Sequence, residues 1–120
     1  MPTITPYKAI ADDTRRHILD ILRHEPLTAG AIVGRVRARP RVPCLSRPAV
    51  AKHLRLLRQS RLVTTEKRGR ERVYTLNAEP LREVDDWVKQ YETFWDQQLE
   101  AFKDHVESET KKENRNDQKS

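Results

Sequence analysis

The chain has a single cysteine, Cys44, so no internal disulfide can form and a reducing compartment fits. Glycine is scarce: three in 120 residues, with no run that could cradle a phosphate. No uncharged stretch approaches the roughly 18 residues of a membrane helix. No charged-then-apolar leader opens the chain, so a cytosolic protein without a membrane partner is expected. The four histidines, His17, His24, His53 and His105, fall on separate helices or helix ends. No nucleophile–base pair accompanies them, so an enzyme is not expected. Acidic residues are nearly missing from one third of the chain. Between Arg35 and Arg72 there are 13 Lys/Arg against 2 Asp/Glu, while the remainder holds 11 basic and 16 acidic residues. Such segregation is the footprint of a polyanion, and nucleic acid is the first candidate. A membrane surface fits less well, because the basic stretch lacks a large apolar face. Apolar residues make up 36%, which gives a thin core that a second copy of the chain would extend.

The cationic third is centred on residues 46–59, SRPAVAKHLRLLRQ. Ser46 suits a helix N-cap, and Pro48 is tolerated in the first turn. Val50, Leu54 and Leu57 recur at helical spacing and define a buried face. Ala49, Lys52, Arg55 and Gln59 face the other way, with Arg47 and His53 on the flanks. Small, basic and amide side chains backed by an apolar face suit a DNA major groove. An ordinary solvated helix shows the same pattern, so the neighbouring segments decide. Downstream, Leu62–Lys67 and Arg72–Leu76 read as two short β-rich strands. Arg68-Gly69-Arg70-Glu71 forms the turn between them, with Arg68, Arg70 and Arg72 crowding its tip. A basic hairpin after such a helix can reach the phosphates or minor groove beside it.

Upstream, Thr5-Pro6 opens a short helix containing Tyr7 and Ile10. Asp12 caps a second helix with Ile18, Leu19, Ile21 and Leu22 buried, ending before Pro26. Arg15 and Arg16 oppose the dipole of that helix, which suggests a contact with a phosphate or a carboxylate across an interface. Thr28 caps a third helix, 29–36, in which Gly30 and Gly34 cost roughly 1 kcal/mol each unless they permit close helix packing. Residues 37–45 form a Pro- and Arg-rich connection in which Arg37, Arg39 and Arg41 could grip phosphates. Cys44 lies among these arginines, which favour its thiolate.

Residues 80–107 read as one long helix. Leu81, Val84, Val88, Tyr91, Trp95, Leu99, Phe102 and Val106 form a continuous stripe, widened by Trp87 and Phe94. A second copy of the chain is the expected cover, with a bend back onto its own domain as the alternative. Residues 108–120 contain no apolar side chain and are expected to be disordered. Residues 1–107 then form one domain: mainly α with a β-hairpin wing, a winged helix-turn-helix of five helices.

Together ADDTRRHILDIL, LTAGAI, SRPAVAKHLRLLRQSRLV and KRGRERVYTL resemble the ArsR/SmtB family of winged-helix transcriptional repressors, over about residues 7–107. ETFWDQQLEAFKDHV resembles a subgroup encoded beside START-like, polyketide-cyclase-like proteins. The resemblance implies a homodimer on a palindromic operator, released by a small-molecule inducer. It also implies an interface built from the first and last helices: Tyr7, Ile10, Leu81, Val84, Val88, Tyr91, Trp95, Leu99 and Phe102. The expected DNA-facing residues are Ser46, Arg47, Ala49, Lys52, His53 and Arg55 on the helix, with Arg68, Arg70 and Arg72 on the wing. The family's metal sensors use a Cys-x-Cys pair in the third helix or paired Asp and His in the last. Here 29–36 has no Cys and His105 stands alone, so neither a metal nor any other cofactor is expected. The connection at 37–45 is longer than the family's compact turn. A winged-helix module for an acidic protein partner, and a non-specific architectural DNA binder, remain open alternatives.

Overall fold

A computed structural model describes residues 3–38 and 45–118, with side chains through Thr110. The chain forms two compact units, Met1–Val84 and Asp85–Ser120. The described residues contain six helices and three strands. In order these are α1 (Pro6–Ala9), α2 (Asp13–Leu22), β1 (Leu27–Thr28), α3 (Ala29–Arg37), α4 (Arg47–Gln59), β2 (Val63–Arg68), β3 (Glu71–Leu76), α5 (Leu81–Lys89) and α6 (Glu92–Gln118).

The helix starts follow from local chemistry. Thr5 accepts from Lys8 N at 3.2 Å, Asp12 from Arg15 N at 3.0 Å, Thr28 from Ala31 N at 3.3 Å and Ser46 from Ala49 N at 3.3 Å. Each oxygen takes one of the donors a helix start leaves unpaired. In the first unit α2 packs against α3 and α4, and α4 against β2. The residues sealed from solvent include Ile18, Ile32, Val36, Val50, Leu57, Leu62 and Val63. Truncating such a side chain to Ala costs about 2–5 kcal/mol, so α4 is held firmly by its Val50–Leu54–Leu57 face.

The sheet order is β1-β3-β2, all antiparallel. The hairpin pairs Val63 with Leu76 through to Arg68 with Glu71. Gly69 adopts φ 63° at the turn, a conformation glycine tolerates at no steric cost. Strand β1 pairs Leu27 with Tyr74 and Thr28 with Val73. It is too short to show an alternating pattern, and Thr28 also caps α3, so the sequence reading misses it.

Three expectations are corrected. The stripe at 80–107 is divided between α5 and α6, giving six helices instead of five. Around Gln90 the bonding tightens from four-residue to three-residue steps: Gln90 N donates to Trp87 O and Tyr91 N to Val88 O. Neither Gly nor Pro marks this break, so apolar spacing runs through it unaltered. The second correction concerns 108–118, which are helical instead of disordered. Glu109 pairs with His105 at 3.2 Å and Thr110 Oγ1 donates to Val106 O at 2.9 Å, extending the helix without apolar burial. Third, a Cβ at Gly30 or Gly34 would meet nothing within 4 Å, so neither glycine serves a close helix approach. Arg39, Arg41 and Cys44 lie outside the described residues. No helix among the described residues is long and apolar enough to cross a membrane.

Candidate nucleic-acid interface

The buried face of α4 leaves its other side to solvent. Ser46, Arg47, Lys52 and Arg55 are exposed and Ala49 is half-buried. Arg68, Arg70 and Arg72 are exposed on the hairpin. Both elements belong to the first unit and touch each other, since α4 packs on β2. Arg47, Lys52, Arg55, Arg70 and Arg72 form no ion pair and no side-chain hydrogen bond among the described residues. Arg68 has one weak partner, Glu66 at 3.4 Å. Some cations elsewhere are engaged: Arg35 with Glu25 at 2.8 Å, Arg82 with Glu79 at 3.3 Å and Lys89 with Asp85 at 3.0 Å. These exposed cations on a helix and an adjoining hairpin outnumber the acidic residues beside them, Glu66 and Glu71, and create a positive field.

Several other basic residues make bonds within the first unit. Arg37 spans the α3–α4 connection, its Nε donating to Leu45 O at 3.0 Å. Arg15 and Arg16 turn to groups at the end of α1 and the start of α2. Arg15 Nε donates to Ala9 O at 2.7 Å and its Nη2 to Lys8 O at 3.0 Å. Arg16 Nη1 donates to Ile10 O at 2.6 Å, and its Nη2 pairs with Asp13. The physical reason is that α1 ends there with free carbonyls, which guanidinium groups satisfy.

His53 is also redirected. Its side chain is only 18% exposed and turns toward α2 instead of the open face. Arg15 Nη1 lies 3.3 Å from His53 Nδ1, and Asp12 Oδ2 lies 3.8 Å from the same nitrogen. A guanidinium only donates, so Nδ1 is the acceptor and carries no proton. Burial holds the imidazole below its ordinary range; Asp12 pulls it back up, while Arg15 and Lys52 push it further down. The contact joins residues 38 apart, and no local signal in the sequence announces it.

The residues expected between two copies divide into two groups. Ile10 and Leu81 are half-buried against the core of the first unit. Tyr7 OH donates to Glu83 O at 3.0 Å, and Val84 is half-buried. In the second unit Val88 is half-buried. Trp87, Tyr91, Phe94, Trp95, Leu99, Phe102 and Val106 are exposed, Leu99 at 65% and Phe102 at 67%. Trp87 meets Tyr91 edge-on at 5.3 Å between ring centroids, and Tyr91 stacks on Trp95 at 6.4 Å. Among the described residues no group of three or more His, Cys, Asp or Glu could hold a metal ion.

No protein-family model matches the chain. It is 35% identical over 103 residues to the HTH-type transcriptional regulator Rv2034 of Mycobacterium tuberculosis, covering 86% of this chain and 87% of that one. It is 33% identical over 82 residues to the transcriptional repressor SdpR of Bacillus subtilis, covering 68% and 83%. Among solved structures it is similar to an ArsR-like transcriptional regulator from Rhodococcus sp. RHA1. That match has a TM-score of 0.62 and 32% identity, and covers 85% of this chain and 87% of the other.

Proposed function

Because the chain belongs to the ArsR family of winged helix-turn-helix transcriptional regulators, we propose that it is a repressor that binds a palindromic operator as a homodimer. One observation carries the DNA contact: the unpaired cations Arg47, Lys52, Arg55, Arg70 and Arg72 share α4 and the adjoining hairpin. Helix α4 enters the major groove. Arg47 pairs with a guanine edge, Ser46 and Ala49 lie close to the bases or sugar, and Lys52 and Arg55 take bases or phosphates. Arg68, Arg70 and Arg72 set the wing on the backbone or minor groove. His53 is left out of this contact set, since its ring turns inward.

The exposed stripe Trp87–Val106 is too large an apolar surface to stay in water, and a second copy of the chain is its cover. Two α4 helices then meet successive major grooves about 34–36 Å apart, and promoter occlusion follows. Such a protein works in the cytoplasm, where the DNA is. An inducer that releases the DNA, and a START-like neighbour gene, are further expectations of the resemblance. A protein that does not sense metal is part of this reading, supported by the lack of Cys in α3.

The test is a titration into DNA from upstream of the protein's own gene, with competitor DNA and a salt series. Saturable binding with two-fold symmetric protection supports the reading. Binding that competitor abolishes, with a steep salt slope, favours an architectural DNA binder. No binding at low salt overturns the DNA reading and favours an acidic protein partner.

A further inference from the structure

One nitrogen atom, His53 Nδ1, stands between two partners that require opposite protonation states. Arg15 Nη1, at 3.3 Å, can only donate to it. Asp12 Oδ2, at 3.8 Å, can only accept from it when ionised. The same Arg15 guanidinium holds the end of α1 through Ala9 O at 2.7 Å and Lys8 O at 3.0 Å. Arg15 therefore joins α1 and α2 to α4, and the only side-chain bond it makes to α4 runs through an imidazole that titrates near neutrality. The charged groups facing the ring are Asp12 and Arg15 from α2 and its start, and Lys52 from α4 itself.

We propose that His53 is a proton-controlled tether of the recognition helix. Uncharged, it accepts from Arg15 and fixes α4 against α1 and α2. Protonated, it loses the Arg15 bond, is repelled by that guanidinium and moves onto Asp12. Helix α4 is then freed from its tie to α1, and operator affinity falls on acidification. His53 acts here as a positioning residue, without touching DNA. The inference rests on the repressor reading above for its effect on DNA, although the tether itself does not. Its burial, which disfavours the charged ring, places the uncharged, tethered state at neutral pH.

The test uses the full chain and a duplex enriched from random DNA by the wild-type protein at about pH 7.5. Anisotropy titrations then run from about pH 8 to about pH 5.5, across the range where imidazole titrates. Wild-type affinity is expected to fall at least about five-fold, the low end of coupling between linked sites. His53→Asn, which keeps an acceptor near the Nδ1 position and cannot titrate, is expected to bind with a flat pH profile. Asp12→Asn keeps the α2 cap but removes the charge that receives the protonated ring. It is expected to move the transition to lower pH. A wild-type profile that is flat, or one that His53→Asn leaves unchanged, overturns the proposal. If no duplex is enriched, the repressor reading falls and the tether is judged on the free protein. There the imidazole nitrogen shifts must report an unprotonated Nδ1 at neutral pH, with a midpoint that Asp12→Asn lowers. An unmoved midpoint overturns the tether independently of DNA.

Discussion

Asn77 Nδ2 donates to the backbone carbonyl of Arg61 at 2.9 Å, tying the residue after β3 to the turn that follows α4. Arg61 has φ 64° and is the one non-glycine residue in the left-handed region among those described. Its neighbours hold it there: Leu62 N donates to Leu57 O at 3.1 Å, and Asn77 N to Leu62 O at 2.8 Å. These bonds close α4 and aim the chain into β2, so the wing's position depends on a strained residue.

That strain gives the first prediction. Arg61→Gly removes the clash between Cβ and carbonyl but adds freedom to the unfolded chain. The balance is expected to stabilise the fold by about 0.5–1 kcal/mol, read as a higher urea midpoint with unchanged slope. A lower midpoint would show that the Arg61 side chain contributes more than its backbone costs.

On DNA, Arg47→Ala is expected to lose about 1–3 kcal/mol and to relax specificity at one position. Arg70→Ala should weaken all sequences alike and reduce the salt slope by about 1. Competition titrations against single-base variants separate the two. Uniform weakening by Arg47→Ala would make that residue a phosphate contact.

Leu99→Glu paired with Phe102→Glu places charge in the exposed stripe of α6. Neither side chain is buried in its own unit, so the fold should survive while self-association is lost. Sedimentation equilibrium is the measurement. A double variant that still sediments as a dimer would move the interface elsewhere.

Protonation also bears on stability. The His53 pKa is lowered in the folded chain from its ordinary 6.5, chiefly by burial. The unfolded chain therefore takes up this proton first as pH falls. The His53 contribution is complete above about pH 6.5 and declines as pH drops toward the lower folded value. Urea unfolding of wild type and His53→Asn across this range should show a pH-dependent gap that narrows on acidification. A constant gap would remove His53 from the linkage.

Gly34→Ala is expected to stabilise α3 by about 1 kcal/mol, since helix propensity rises and the added Cβ meets nothing within 4 Å. Thermal unfolding checks it. Loss of DNA binding without loss of stability would instead mark this face of α3 as a contact surface.

How far the fold was legible depended on the range of the interactions. Thr5, Asp12, Thr28 and Ser46 each cap a backbone N–H three residues on, so four helix starts could be read from short strings. Val50, Leu54 and Leu57 announced the buried face of α4 by spacing alone. The break at Gln90 was not legible, because it changes hydrogen-bond steps and leaves the apolar rhythm intact. Strand β1 was hidden because its two residues pair with Val73 and Tyr74, far along the chain.

The sequence by itself determined the order of helices and wing, the cationic third and the apolar stripe of the last helices. These rest on local propensity, periodicity and charge, which need no partner to be recognised. Only the tertiary structure decided which cations are already engaged. Arg15, Arg16 and Arg37 are committed to carbonyls within the first unit, and His53 is turned inward by Arg15 and Asp12. Arg47, Lys52, Arg55, Arg70 and Arg72 stay open to a ligand. A charge in a sequence is the same whether paired or free. Folding separates the two cases, because turns and helix ends bring carbonyls within reach of some guanidinium groups and not of others.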